Sequence, residues 1–160
     1  LDELRLRAAR VARGLGHPTA ERGLGAIRVL PAAPEASADG NYDGVLVDAP
    51  CSGSGTWRRS PHLKWVTTEG DIDRAAALQR TLLADFSRRV RPGGRLVYAT
   101  CSLSSRENEA VVADFLAAHG EFEAAPCPRV GEALPRGAGR LLLPSRYDTD
   151  GFFVASLRRR

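Results

Sequence analysis

Two short motifs could support covalent chemistry: Asp48-Ala49-Pro50-Cys51-Ser52-Gly53-Ser54-Gly55 and Ala99-Thr100-Cys101-Ser102. A thiolate is a strong nucleophile, and adding it to a substrate splits one difficult step into easier ones. A carboxylate such as Asp48 can hold a substrate or stabilise charge that develops on it. Taken singly, a cysteine at a strand end can be a small buried hydrophobe, and Asp48 can cap a turn. Taken together the motifs favour chemistry, because each begins where a parallel strand is predicted to end. Open α/β sheets bind their ligands at the carboxyl ends of the strands, so both cysteines should face one cleft. A thiol hydrolase or redox protein would need a nearby histidine or a Cys-x-x-Cys spacing. His17, His62 and His119 lie outside both motifs, and Cys127, in Pro126-Cys127-Pro128, reads as structural.

The elements that must position these residues follow from periodicity. Leu1, Leu4, Ala8, Val11 and Leu15 recur at helical spacing, with Gly14, Gly16 and Pro18 as stop signals. Ala26 to Leu30 reads as a short strand and Pro31 to Asn41 as a loop. Val45-Leu46-Val47, too short for a helix, marks a buried strand from Tyr42 to Asp48. Residues 49 to 70 carry breakers and no period, which predicts a long loop of the kind usually tied to function. Leu78, Leu82, Phe86 and Val90 lie four apart and predict an amphipathic helix from Ile72 to Val90. Arg91-Pro92-Gly93-Gly94 breaks it, and Arg95 to Thr100 is the next strand. Ser104 and Glu107 suggest a capping box for a helix bearing Val111, Val112, Phe115 and Leu116. Glu121 to Ala125 reads as a strand, followed by a Pro/Gly-rich loop and a last strand from Gly151 to Leu157. Such alternation predicts an α/β domain with a mostly parallel sheet.

Composition sets outer bounds. A chain of 160 residues, 43% of them hydrophobic, suits a single core. It has no apolar run of the ~18 residues that crossing a bilayer requires, so no membrane partner is expected. The start, Leu1-Asp2-Glu3-Leu4-Arg5, resembles no secretory signal and has no initiator Met, as expected of a segment of something longer. An odd number of cysteines, three, argues against a disulfide framework and suits a reducing cytoplasm. The net charge is +4, and Lys64 is the only lysine among the basic residues. Arginine-rich charge fits a polyanionic partner, although GC-rich coding yields the same bias. No internal repeat is visible.

The chain resembles the NOL/NOP/Sun RNA cytosine-5 methyltransferases. The matching residues are Asp48 to Gly53, Arg58-Arg59 through Lys64-Trp65, Gly93-Gly94, Leu96 to Ser102, Glu107-Asn108-Glu109 and Asp150-Gly151-Phe152-Phe153. Their order and spacing follow the family from about residue 42 to residue 157, which is far more specific than a lone tetrapeptide. The resemblance implies a Rossmann-like S-adenosylmethionine-dependent methyltransferase fold whose last strand is antiparallel. It implies methyl transfer to carbon-5 of cytosine in RNA, ribosomal RNA first and transfer RNA next, on a base that has left its stack.

In that chemistry a thiolate adds at carbon-6 and makes carbon-5 enamine-like and nucleophilic. The resemblance makes Cys101 this nucleophile and Cys51 the group that helps to break the adduct. DNA cytosine methyltransferases use the Pro-Cys cysteine instead, so the assignment rests on the family and not on spacing. Asp48 would hold the base and also touch S-adenosylmethionine. Arg58, Arg59 and Lys64 would meet RNA phosphate or position the loop, with a solvated face the plainer reading. Trp65 reads as packing rather than base stacking.

The family's glycine-rich cofactor loop has no counterpart here. The chain is therefore expected to be an N-terminally truncated piece, residues 1 to 160 forming the C-terminal portion of a catalytic domain. Asp2 is a weak stand-in for the acidic residue that holds the cofactor ribose, and no metal is implied. The strand ending at Asp48 would then lie at an uncovered sheet edge, which predicts instability or self-association. The rival reading is a non-catalytic RNA-binding remnant without a complete cofactor site.

Overall fold

The computed structural model describes residues 42–127 and 133–160. Asp2, the predicted helix over residues 1 to 15 and the predicted strand from Ala26 to Leu30 lie outside the described residues. The described chain begins with strand β1 (Tyr42–Asp48). A single 3-10 turn at Ser54–Thr56 and the short helix α1 (Leu63–Val66) follow, in the stretch predicted to be a loop. Then come helix α2 (Glu69–Ser87), strand β2 (Val90–Thr100) and helix α3 (Glu109–Ala118). Strands β3 (Phe122–Ala125), β4 (Leu134–Arg136), β5 (Gly139–Leu142) and β6 (Phe152–Arg159) complete the order.

The described strands form one six-stranded sheet in the order β1-β2-β6-β5-β4, with β3 also paired to β6. Strands β1 and β2 are parallel, and β6 lies antiparallel to β2, as expected of the last strand. The far edge of β6 is shared: β3 pairs its second half and β5 its first. Strands β1, β2, β3 and β5 therefore run one way, with β6 and β4 opposed. The β4–β5 hairpin occupies the stretch predicted to be a Pro/Gly-rich loop. Its strands are too short to show a hydrophobic period, and Gly137, at φ 53°, makes the turn between them.

Register gathers the apolar residues onto one face. Val45 pairs with Leu96 and Val47 with Tyr98, while Leu157 and Ala155 lie opposite the same two residues from the other side. Paired residues share a face of the sheet, so this one is almost wholly buried, with Phe153 and Leu141 continuing it. The opposite face carries Leu46, 66% exposed on β1.

Helix α2 starts earlier than predicted, at a capping box in which Thr68 accepts from the Asp71 N–H and Asp71 accepts from the Thr68 N–H. Its buried stripe is also turned from the predicted one. Leu78 is exposed, and Ala76, Gln79, Leu83 and Ser87 face inward. The Arg91-Pro92-Gly93-Gly94 breaker lies within β2. Tyr42 pairs with Val90 and Gly44 with Arg95, so the extra residues bulge out of the ladder, with Gly93 at φ 78°. The Arg91 guanidinium ties the bulge to the Asp43 carboxylate at 2.6 Å.

Candidate active site

Parallel pairing brings the two cysteine motifs side by side. Asp48 is opposite Ala99, and the ladder runs one bond further, from the Ala49 N–H to the Ala99 carbonyl at 2.9 Å. Cys101 is the first residue beyond β2, and Cys51 lies a short step beyond β1. Their sulfur atoms are 3.2 Å apart and both residues are half-buried free cysteines. The two cysteines thus meet at the carboxyl ends of β1 and β2, where a shared cleft was expected.

The Gly53-Ser54-Gly55 run is no free loop. Gly53 takes φ 69° at the start of the 3-10 turn, a conformation L residues rarely adopt. The Gly55 N–H donates to the Cys101 carbonyl, and the Gly151 N–H donates to the Gly55 carbonyl, each at 2.9 Å. A side chain at Gly55 would put its Cβ 2.3 Å from the Gly151 carbonyl oxygen. Three chain segments thus meet backbone to backbone around Cys101.

Beneath the thiols lies a buried polar network. Glu107 is 0% exposed. Its Oε1 accepts from the Ser52 N–H at 2.7 Å, and its Oε2 accepts from the Ser52 and Ser102 hydroxyls, each at 2.6 Å. The Gln79 amide, also buried, donates to the Pro50 carbonyl at 2.8 Å and to Glu107 Oε1 at 3.2 Å. Asn108 completes the frame, accepting from the Thr100 hydroxyl at 2.6 Å and donating to the Ser102 carbonyl at 2.9 Å. Buried polar groups are costly unless paired, so a network that satisfies both Glu107 oxygens fixes one arrangement of the loops, with only the Gln79 oxygen left unpartnered among them.

The predicted capping role of Glu107 is therefore corrected. Helix α3 begins at Glu109 behind Asn108, without a side-chain cap, and Glu107 turns into the site. Sequence reasoning also gave no role to Gln79, Ser52, Ser102 or Asn108. Ser52, Ser102 and Asn108 fall within motifs that carry the resemblance and Gln79 does not, but none of those motifs said where the Glu107 carboxylate points.

Burial, followed by the hydrogen bond to Cys101, pushes the Cys51 thiol up to about 12. The Cys51 thiol thus stays protonated well above neutral pH, and either sulfur can be the donor in the pair. The loop before β6 is held by ions. Arg59 pairs with Asp150, its Nε donating to Oδ1 at 2.9 Å, and this holds the Asp150 carboxyl below the usual range. Arg58 pairs with the exposed Asp148 at 2.8 Å.

Asp48 is exposed at the end of β1. Lys64 is exposed on α1, its Nζ 5.8 Å from the ring centre of Trp65. Trp65 is 83% exposed, so the reading of it as packing is overturned: α1 is a single short turn whose outer side meets solvent. Cys127 lies apart from both motifs, its sulfur 3.9 Å from the Val154 carbonyl. Among the described residues no group of three or more His, Cys, Asp or Glu could hold a metal ion, and no helix is long and apolar enough to cross a membrane.

Sheet order, register and the two cysteine motifs at the carboxyl ends of β1 and β2 define a Rossmann-like α/β domain. The chain belongs to the 16S rRNA methyltransferase RsmB/F family, whose model matches residues 27–158. This bears out the resemblance to the NOL/NOP/Sun enzymes. The chain is 39% identical over 126 residues to the probable ribosomal RNA small subunit methyltransferase B of Bacillus subtilis, covering 74% of this chain and 28% of that protein. It is 44% identical over 115 residues to the ribosomal RNA small subunit methyltransferase B of Thermus thermophilus, covering 72% and 29%. Among solved structures, NSun6 from Pyrococcus horikoshii with SFG superposes with a TM-score of 0.61 at 31% identity, covering 71% of this chain and 29% of that one. The chain thus spans under a third of the length of these relatives.

Proposed function

We propose that this chain carries the base-attacking side of an S-adenosylmethionine-dependent transfer of a methyl group to carbon-5 of cytosine in RNA. Small-subunit ribosomal RNA is the first substrate class, from the names of the relatives, and transfer RNA the next. The observation that carries the reading is the pair of thiols 3.2 Å apart at the ends of two parallel strands.

In this reading Cys101, as thiolate, adds at carbon-6 of the flipped cytosine, forming a carbon–sulfur bond and pushing electron density to carbon-5. Asp48, exposed at the end of β1, holds the ring nitrogen and exocyclic amine and stabilises the charge that addition creates. S-adenosylmethionine, when bound, supplies the electrophilic methyl group. Asp48 is the described residue that would contact it, and the described residues otherwise form the base side of the site. SFG, an S-adenosylmethionine analogue in the relative's structure, supports this choice of cofactor.

Once carbon-5 carries both methyl and hydrogen, Cys51, its own proton first lost to solvent, takes that hydrogen as a proton. The electron pair of the C–H bond restores the ring double bond, and the Cys101 thiolate leaves. Two causes of the raised Cys51 pKa are its bond to Cys101 and the charge there. Burial, the largest cause, persists, but the charge is lost and the hydrogen bond weakened while the Cys101 sulfur is bonded to carbon, so Cys51 ionises more readily at the step that needs a base. Lys64 and Trp65, both exposed on α1, would meet RNA by charge and by stacking. Arg58 and Arg59 act through Asp148 and Asp150, holding the loop before β6 against the site.

The test is trapping with RNA that contains 5-fluorocytosine, where fluorine blocks the final elimination. The 160-residue chain would be used alone and grafted in place of the matching segment of the full-length Bacillus subtilis relative, with S-adenosylmethionine present. A denaturation-resistant RNA adduct lost in Cys101→Ala and kept in Cys51→Ala supports the assignment. The opposite pattern reverses the two roles. No adduct from a folded graft that binds cofactor favours the non-catalytic RNA-binding remnant.

A further inference from the structure

We infer that Glu107 is a positioning residue that sets the geometry between the two thiols, and Cys51 depends on it more than Cys101 does. The inference rests on the functional reading above for its catalytic consequence, but its structural part stands alone. Ser52 and Ser102 are the residues immediately after Cys51 and Cys101, and their hydroxyls converge on one oxygen of Glu107, each at 2.6 Å. One carboxylate therefore holds the Cys-Ser step of both motifs. Its other oxygen takes the Ser52 N–H at 2.7 Å and the Gln79 amide at 3.2 Å, which joins helix α2 to the same point.

The dependence is unequal. Cys101 is one residue from the end of an eleven-residue strand, and its carbonyl is fixed by the Gly55 N–H. Cys51 lies outside any strand or helix, and the residue after it gives both its N–H and its hydroxyl to Glu107. Gln79 backs this up: its amide donates to both Pro50, on the other side of Cys51, and Glu107. Its oxygen has no partner among the described residues, so the amide serves as a two-way donor. Ser102 has further ties, through its Oγ to the Ser104 N–H at 3.0 Å and its carbonyl to Asn108 at 2.9 Å. Removing the carboxylate frees the Cys51 loop and leaves Cys101 nearly in place.

Two measurements test this, each on Glu107→Gln and Glu107→Ala in a Cys127→Ser background, with folding checked by circular dichroism. The first needs no substrate. Diamide oxidises two neighbouring thiols to a disulfide and is itself reduced to the hydrazine, taking both electrons and both protons. The rate of Cys51–Cys101 closure, followed by mass spectrometry, reports their approach. A displacement of about 1 Å between positioned groups costs on the order of a hundredfold in rate, so closure should slow by at least about tenfold in Glu107→Gln. Glu107→Gln preserves shape and replaces one charged acceptor by a donor, so it decides the matter if Glu107→Ala does not fold. Closure at the wild-type rate in folded Glu107→Gln overturns the inference.

The second measurement uses the grafted chain with ordinary cytosine RNA and S-adenosylmethionine. Release should fall more than addition, so Glu107→Gln should accumulate a denaturation-resistant adduct that the wild type does not. A parallel fall of addition and release, without accumulation, would mean that Glu107 is merely structural. If the wild type forms no adduct even with 5-fluorocytosine RNA, the functional reading fails, and the disulfide rates still decide the positioning role.

Discussion

Gly55→Ala is the substitution whose effect follows most directly from the structure. The new Cβ would lie 2.3 Å from the Gly151 carbonyl oxygen and 2.8 Å from the Cys101 carbonyl oxygen. Both are backbone atoms, so no side chain can rotate away, and the segments must part by about 1 Å to reach van der Waals separation. Overpacking of this kind costs roughly 1–3 kcal/mol. The same movement stretches the two 2.9 Å hydrogen bonds that Gly55 makes to Cys101 and Gly151. Each is worth about 0.5–1.5 kcal/mol. The expected loss is therefore about 2–6 kcal/mol, a large share of the roughly 5–15 kcal/mol that holds a typical domain. Urea denaturation followed by tryptophan fluorescence measures it, since Trp57 lies two residues from the substitution. Gly120→Ala is the control, because a Cβ there meets nothing within 4 Å. A Gly55→Ala midpoint as close to wild type as that of Gly120→Ala would refute the close-packed crossing of the three segments.

Cys51 contributes a pH dependence of definite sign. Its thiol rises from the ordinary 9.0 to about 12 on folding, mainly through burial. Its contribution to stability is thus complete below about pH 9 and is lost as pH rises toward 12. Wild type should lose more stability than Cys51→Ser between about pH 8 and pH 10.5 in paired denaturation curves, and equal losses would count against the buried, protonated thiol. Asp150 has the opposite sign: its hydrogen bond to Arg59 lowers its pKa from 3.8, so its stabilisation holds above that value and fades below it. Arg59→Gln should therefore lose less stability than wild type when the pH is lowered from about 5 to about 3, as read from thermal midpoints. At the other end of the sheet, β1 pairs only with β2 among the described strands, and Leu46 is 66% exposed on it. We predict that the 160-residue chain self-associates through this edge, and that Leu46→Lys shifts it toward monomer in sedimentation velocity. Equal association in both would exclude that edge.

Much of the frame was legible in the residues themselves. Val45-Leu46-Val47 and Leu96-Val97-Tyr98 are apolar runs bounded by turn signals, and they became the parallel pair that carries both cysteines. The motifs Asp48 to Gly53 and Thr100-Cys101-Ser102 were distinctive enough to point to the family the comparisons show. Local pattern was enough there because strand formation and turn chemistry depend mostly on neighbours in sequence.

The errors share a cause. Ser104 and Glu107 have the spacing of a capping box, but a buried carboxylate goes where donors are, and Ser52 and Gln79 come from segments 55 and 28 residues away. Gln79 sat outside the predicted apolar stripe of α2 because its partners, Pro50 and Glu107, belong to two other segments. Trp65 was read as packing rather than base stacking, yet only the path of the chain through α1 decides whether anything covers it. The sequence by itself determined which residues could react and which strands would carry them. Tertiary structure alone decided that the two sulfur atoms meet at 3.2 Å and that one carboxylate joins their loops. The physical reason is that hydrogen bonds between distant segments form only after packing has excluded water from both partners, and nothing in the local sequence records that meeting.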